Sequence, residues 1–312
     1  MNIRHLAVAI CATLAAVDMA RAETIGFAQV GTESDFRTAF SADMKAEAAR
    51  RGITLLFSDA DNKAARQLEA VRGFIADHVD AIVIAPVVVT GWTETLQLAK
   101  AAGIPVFIVN RSVDANPELF VARIAADANL EGRLAAAWLA QATRGSCGIV
   151  ELRGTEGAEP TIQRHKGFLA VLSQFPNMRI LYSSSGQFTS EGGKHAMEAF
   201  LRAPESMKDV CAVWSHNDNM MLGAIQAMHA AGLHPGRDQI TVSVDGVPDI
   251  FRAMLAGDAN MSIELKSDIG KYIFDVVQGY LGGKRDYPKW VLIPSDLHTP
   301  ADAASVLARR GS

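Results

Sequence analysis

From Thr24 onward, short apolar runs alternate with longer segments in which polar and apolar residues are mixed. The first runs are Ile25–Ala28, Ile53–Phe57, Ala81–Ala85 and Val106–Val109. A second series follows with Gly148–Leu152, Ile180–Tyr182, Ala212–Trp214 and Ile240–Val244. Between them, apolar residues return about every fourth position: Phe36, Phe40, Met44 and Ala48; Leu130, Leu134 and Trp138; Ala224 and Met228. Three- to five-residue apolar runs read as strands buried on both faces, and the fourfold recurrence reads as amphipathic helix. Strands alternating with helices give a parallel sheet covered on both sides. Two such series predict an α/β protein of two doubly wound parallel-sheet domains.

Doubly wound sheets bind ligands outside the carboxyl ends of their strands, so the residues after each run carry the functional reading. Gln29, Glu33, Asp35, Phe36 and Arg37 follow the first run, and Asn110 and Arg111 follow the fourth. In the second series, Ser215, His216, Asn217 and Asp218 follow Trp214, Asp245-Gly246 follows Val244, and Glu264 follows Ile263. Asn, Asp and Ser favour caps and turns in any case, and Asp59, Asp61 and Asn62 are read that way. Caps do not account for Arg37 and Arg111 beside Glu33, Asp245 and Glu264, which are drawn from both series. Facing each other across a cleft, these side chains suit a polyol, whose hydroxyls each donate and accept. Phe36 and Trp92 are candidates to cover the apolar face of a sugar ring; the competing reading places both in the core.

Composition narrows the class. The 312 residues are 49% hydrophobic and 21% charged, with net charge −4. That is enough chain for two cores, and it lacks the basic surplus of a nucleic-acid binder. The first 22 residues differ: Arg4 and His5, an apolar stretch from Leu6 to Val17, then Ala20-Arg21-Ala22. They read as a signal peptide cleaved after Ala22, which puts the mature protein in the periplasm. Cys11 falls inside this segment. Cys147 and Cys211 stand just before two apolar runs of the second series. If those runs are adjacent parallel strands, the thiols come within bridging reach, and a disulfide competes with a pair of buried free thiols.

Signatures of catalysis are missing. The chain has no Gly-x-Gly-x-x-Gly after the first strand, no phosphate loop and no Gly-x-Ser-x-Gly elbow. His165, His195, His229 and His234 lack metal-ligand spacing and read as surface residues. No metal, cofactor or catalytic residue is expected. The alternative from another class is a secreted glycoside hydrolase using Glu33 and Asp245 as its carboxylate pair.

Four stretches carry a resemblance: Gly26-Phe-Ala-Gln-Val-Gly-Thr-Glu-Ser-Asp-Phe-Arg37, Ile84-Ala-Pro-Val-Val-Val-Thr-Gly-Trp92, Ser215-His-Asn-Asp-Asn-Met-Met-Leu-Gly-Ala-Ile-Gln-Ala227 and Val244-Asp-Gly-Val-Pro-Asp249. In these the chain resembles the type I periplasmic sugar-binding proteins of ABC transporters, the ribose- and galactose-binding group, and most of all its galactofuranose-binding branch. The resemblance implies no enzyme but a binding protein for a monosaccharide, galactofuranose or a related hexose or pentose, with a different polyol or furanose signal as the alternative. It implies delivery to a membrane permease by a monomer. It assigns ligand contacts to Glu33, Arg37 and Arg111 from the first lobe, to Asn217 and Asp245 from the second, to Glu264 at the hinge, and to Arg164 facing the cleft. Asn110 stands where the group usually has aspartate, so the hydroxyl pattern read there differs. The chain should cross between lobes three times, giving a first lobe of residues 23–126 plus 264–290 and a second of 127–263 plus 291–312. Repressors related to the lac repressor share this fold, but carry a helix-turn-helix where this chain has its export segment.

Overall fold

A computed structural model describes residues 22–203 and 207–310. The export segment expected over residues 1–22 lies, apart from Ala22, outside them. The first series forms β1 (Thr24–Gln29), α1 (Asp35–Arg50), β2 (Thr54–Asp59), α2 (Ala64–Ala76), β3 (Ala81–Ile84), α3 (Thr93–Ala101), β4 (Val106–Val109) and β5 (Ala122–Ala125). The second forms α4 (Ala128–Ala142), β6 (Ser146–Arg153), α5 (Glu159–Leu172), β7 (Asn177–Ser185), α6 (Ser190–Leu201), β8 (Val210–Ser215), α7 (Asp218–Ala230), β9 (Ile240–Asp245), α8 (Pro248–Ala256) and β10 (Met261–Glu264). The chain then supplies α9 (Gly270–Leu281), β11 (Trp290–Leu292), β12 (Asp296–His298) and α10 (Pro300–Arg310).

The strands make two six-stranded sheets, ordered β11-β5-β4-β3-β1-β2 and β12-β10-β9-β8-β6-β7. All pairings are parallel except β10 with β12. In each sheet the first strand in sequence, β1 or β6, has neighbours on both sides that run off in opposite directions. The crevice at this reversal of strand order is where such sheets hold ligands. The chain passes between sheets after β5, after β10 and after β11. Residues 291 and 292 therefore stay with the first sheet, and Glu264 ends a strand of the second, each placement differing from the boundary expected from sequence.

The α1 repeat behaves as its spacing predicts: Phe36, Phe40, Met44 and Ala48 are all buried. Each such large side chain, removed from water, stabilises by about 1.5–3 kcal/mol. The α4 repeat does not. Leu130 is exposed, and the buried face is Ala128, Gly132, Ala135, Ala136 and Leu139. Small residues won because α4 packs closely on α5: a Cβ added at Gly132 would lie 2.0 Å from the Arg164 carbonyl oxygen, and one at Gly167 2.0 Å from that of Asn129. β6 and β8 are adjacent and parallel, and Cys147 and Cys211 are disulfide-bonded across them with Cα atoms 5.5 Å apart.

Candidate functional site

The two lobes meet over the carboxyl ends of β1, β4, β8 and β9. Asp35 N–H donates to Asn219 Oδ1 at 3.2 Å, and Asn219 Nδ2 returns a bond to Asp35 Oδ2 at 3.0 Å. Val89 N–H donates to the Gly157 carbonyl at 3.0 Å. Arg123 Nη2 pairs with Glu159 Oε1 at 3.0 Å. Between these contacts lies a small, narrow cavity.

The first lobe lines it from two loops. Ser34 caps α1 by accepting from Arg37 N–H, which fixes the first helical turn with Phe36 and Arg37 toward the cleft. Arg37 Nε lies 3.5 Å from Glu33 Oε1. After β4, Asn110 takes a left-handed conformation, φ +60°, which asparagine tolerates better than most residues. The next residue, Arg111, is 2% exposed; its Nη1 donates to the carbonyls of Pro86 and Val87 at 3.0 Å each, and its Nη2 lies 3.7 Å from Glu33 Oε1.

From the second lobe come Arg164, Asn217, Asp245, Pro160 and Phe188. Asn217 caps α7 through Met220 N–H and donates Nδ2 to the Phe188 carbonyl at 3.0 Å. That bond fixes Phe188, whose ring faces the Arg111 guanidinium at 5.5 Å across the cleft. Arg164 Nη2 lies 3.9 Å from Asp245 Oδ1.

The charges nearly balance. Arg37, Arg111 and Arg164 meet Glu33 and Asp245 in the lining, with Glu131 and Glu159 behind them. Burial, reinforced by the Arg37 charge, draws the Arg111 guanidinium down to about 9, so it stays cationic at neutral pH. Burial also lowers Arg37, against the pull of Glu33. For Arg164, burial is outweighed by Glu131 and Asp245, and its pKa rises. Burial pushes the Asp245 carboxyl up, opposed by Arg164. Glu33 Oε2, Arg37 Nη1, Asn110 Nδ2 and Arg111 Nε are buried without a partner in the protein. Buried groups of that kind cost about 1–3 kcal/mol each unless something bonds them. Two acceptor-rich and several donor-rich positions suit a neutral, hydroxylated ligand better than an ion of either sign.

Two residues expected here lie elsewhere. Trp92 is 1% exposed in the first-lobe core, packed with Leu96 and Ile84, its Nε1 donating to the Val88 carbonyl at 2.8 Å. Glu264 turns from the cavity: it pairs with His298 Nε2 at 2.7 Å and with Arg310, and Leu265 lines the cleft instead. His165 is also no plain surface residue. It is half-buried, and its Nδ1 lies 2.8 Å from Glu151 Oε1. Phe188 carries no signal in the apolar pattern: the Ile180–Tyr182 run is only the centre of β7, the strand continues to Ser185, and Phe188 lies in the loop beyond it. Among the described residues, no group of His, Cys, Asp and Glu could hold a metal ion, and no helix is long and apolar enough to cross a membrane.

A family model described as a periplasmic binding protein domain matches residues 25–285. The chain is 44% identical over 304 residues to the galactofuranose-binding protein YtfQ of Escherichia coli K12, covering 97% of this chain and 96% of that protein. Among solved structures it is similar to the periplasmic binding component of the arabinose ABC transporter of Shewanella sp. ANA-3, bound to α- and β-L-arabinofuranose. The identity is 49% and the TM-score 0.89, over 92% of this chain and 95% of that one. A Mycobacterium smegmatis structure in complex with β-D-fucofuranose is 39% identical, with TM-score 0.89 over 93% and 95% of the two chains. Twin sheets, a buried polar cleft between them and these matches together establish that the chain belongs to the periplasmic binding protein family, whose members capture solutes rather than transform them.

Proposed function

We propose that the cleft captures a monosaccharide in its furanose form and that the closed lobes present it to the permease of an ABC transporter. The observation that carries this reading is the set of buried, unpartnered cleft atoms, Glu33 Oε2, Arg37 Nη1, Asn110 Nδ2 and Arg111 Nε, which mix donors with an acceptor as ring hydroxyls require. Phe188 and Phe36 offer apolar ring faces beside them. Hinge closure around the ligand is the general motion of periplasmic binding proteins.

The relatives favour the ring form. Galactofuranose, arabinofuranose and fucofuranose are all five-membered rings, and D-galactose, D-fucose and L-arabinose share their configuration at C2, C3 and C4. They differ in the exocyclic group, so the cleft should grip the ring and leave the tail more room. Residues 23–126 with 265–293 form one gripping lobe and residues 127–264 with 294–310 the other. The ligand residues are Glu33, Phe36, Arg37, Asn110, Arg111, Arg164, Asn217 and Asp245, joined by Phe188. The protein works as a monomer in the periplasm after removal of residues 1–22.

L-Arabinose labelled at its anomeric carbon tests the proposal. Bound sugar should show a furanose anomeric resonance, distinct from those of the pyranose forms that dominate free solution. A bound pyranose resonance refutes the ring-form reading, and no binding of L-arabinose, D-galactose or D-fucose refutes the sugar class. A carboxylate-pair hydrolase would instead release product from an aryl furanoside.

A further inference from the structure

Arg164 comes to the cleft with most of its guanidinium already held. Nε donates to Glu131 Oε2 at 2.9 Å and Nη1 to the His216 carbonyl at 2.5 Å. Nη2 remains, 3.9 Å from Asp245 Oδ1. Two fixed bonds on a planar fork leave its third nitrogen one direction to point. The His216 carbonyl belongs to the same loop as the cleft residue Asn217, whereas Glu131 lines no part of the cavity. Glu131 is nevertheless 1% exposed, a costly place for a carboxylate that only fills space.

Glu131 has a second partner. Its Oε1 accepts from Ser295 Oγ at 3.1 Å. Ser295 lies between β11 and β12, on the last passage of the chain between the lobes. The same carboxylate thus touches a cleft arginine with one oxygen and the crossing segment with the other. Glycine makes the arrangement possible: at Gly132 and Gly167, α4 and α5 approach backbone to backbone, which puts the residue beside Gly132 against Arg164.

We infer that Glu131 is a positioning residue that fixes the ligand-facing nitrogen of Arg164 and ties it, through Ser295, to the third interlobe crossing. The affinity arm of its test rests on the sugar reading above; the spectroscopic arm does not. Rotation of the crossing segment moves Ser295, Ser295 moves Glu131, and Arg164 turns with it. Bound sugar and hinge position then bias each other through one carboxylate, as linkage requires.

Two measurements on the full mature chain test this. The first is the Arg164 Nε–H resonance in sugar-free protein, assigned by its loss in Arg164→Lys. It should be slow to exchange in wild type, disappear or exchange fast in Glu131→Gln, and shift in Ser295→Ala. The second is calorimetric affinity for L-arabinose. Glu131→Gln should weaken it by about tenfold or more and Ser295→Ala by about threefold. Both losses should vanish in an Arg164→Met background, where no fork remains to position. Losses that persist there mark Glu131 as a general structural residue and overturn the inference. An unchanged Arg164 resonance in Ser295→Ala overturns the tie to the crossing, and that mild variant keeps the test open should Glu131→Gln fold poorly. A wild type that binds none of L-arabinose, D-galactose and D-fucose refutes the sugar reading instead, and the resonance still decides the positioning role.

Discussion

Replacing Arg111 with lysine tests the cleft most sharply, because the structure gives this residue two roles. Nη1 braces the loop after β3 by donating to the Pro86 and Val87 carbonyls. Nε has no protein partner and belongs to the cavity lining. Lysine keeps the charge but not the planar fork. Its ammonium can replace one carbonyl bond at best, and a single point donor cannot serve the loop and a ligand together.

Each lost bond to a charged donor is worth about 1.5–3 kcal/mol. On the ligand side this lowers sugar affinity by about ten- to one-hundred-and-fifty-fold. On the brace side, one orphaned carbonyl costs about 1–3 kcal/mol, a fall of roughly 2–10 °C in melting temperature for a chain of this size. A ligand contact alone would lower affinity at unchanged melting; the two carbonyl bonds make both quantities fall. Calorimetric affinity for L-arabinose and the sugar-free melting temperature, each for wild type and Arg111→Lys, decide the matter. Lower melting with affinity kept within about threefold would make Arg111 a brace only, and the cleft assignment would be wrong.

Other predictions are narrower. The double change Cys147→Ser, Cys211→Ser removes a 64-residue cross-link and should cost about 4 kcal/mol in urea unfolding; sugar affinity should hold within about twofold, because the bond sits at the strand ends away from the cleft. Trp92→Phe should lower stability by about 1 kcal/mol through loss of the bond to Val88 and leave sugar affinity alone; a large affinity loss would return Trp92 to the site. Burial pushes the Glu151 carboxyl up, but bonds from His165, His216 and Ser183 outweigh it and hold it well below the usual carboxylate range. A depressed carboxylate contributes stability above its unfolded pKa, here about 4.5, and loses it as pH falls below that. Urea midpoints should therefore drop below about pH 4.5, and Glu151→Gln should flatten that limb; an unchanged limb would show that Glu151 is not its source.

The order of strands and helices was legible because a doubly wound sheet writes itself as apolar runs buried on both faces. β4 coincides with its run, Val106–Val109. What the pattern hid depends on neighbours rather than on periodicity. At α4, Leu130, Leu134 and Trp138 keep helical spacing, yet Leu130 is exposed and Leu134 and Trp138 only pack half-buried against the core, since Gly132 and Gly167 draw α4 and α5 too close for large side chains between them. Trp92 and Phe36 both follow first-lobe strands and both read as ring covers. The difference is that Trp92 begins a helix packed on the outer face of the sheet, so its ring folds back onto Val88 and Leu96. Glu264 fails for a reason no local pattern contains, as its partners His298 and Arg310 lie 34 and 46 residues later.

These placements bear on why closure should await the sugar. Across the cleft the lobes share the reciprocal Asp35–Asn219 pair, the Val89–Gly157 backbone bond and the Arg123–Glu159 ion pair. Bonds of this kind, partly exposed at the rim, contribute about 0.5–1.5 kcal/mol each. Against them stand four buried polar atoms, on Glu33, Arg37, Asn110 and Arg111, that lose water on closure and find no protein partner. At about 1–3 kcal/mol apiece, they cancel or exceed the rim contacts. A ligand whose hydroxyls bond those four atoms removes the opposing side of the balance without altering the rim. A filled cleft therefore favours the arrangement in which Asp35 and Asn219 meet across the rim.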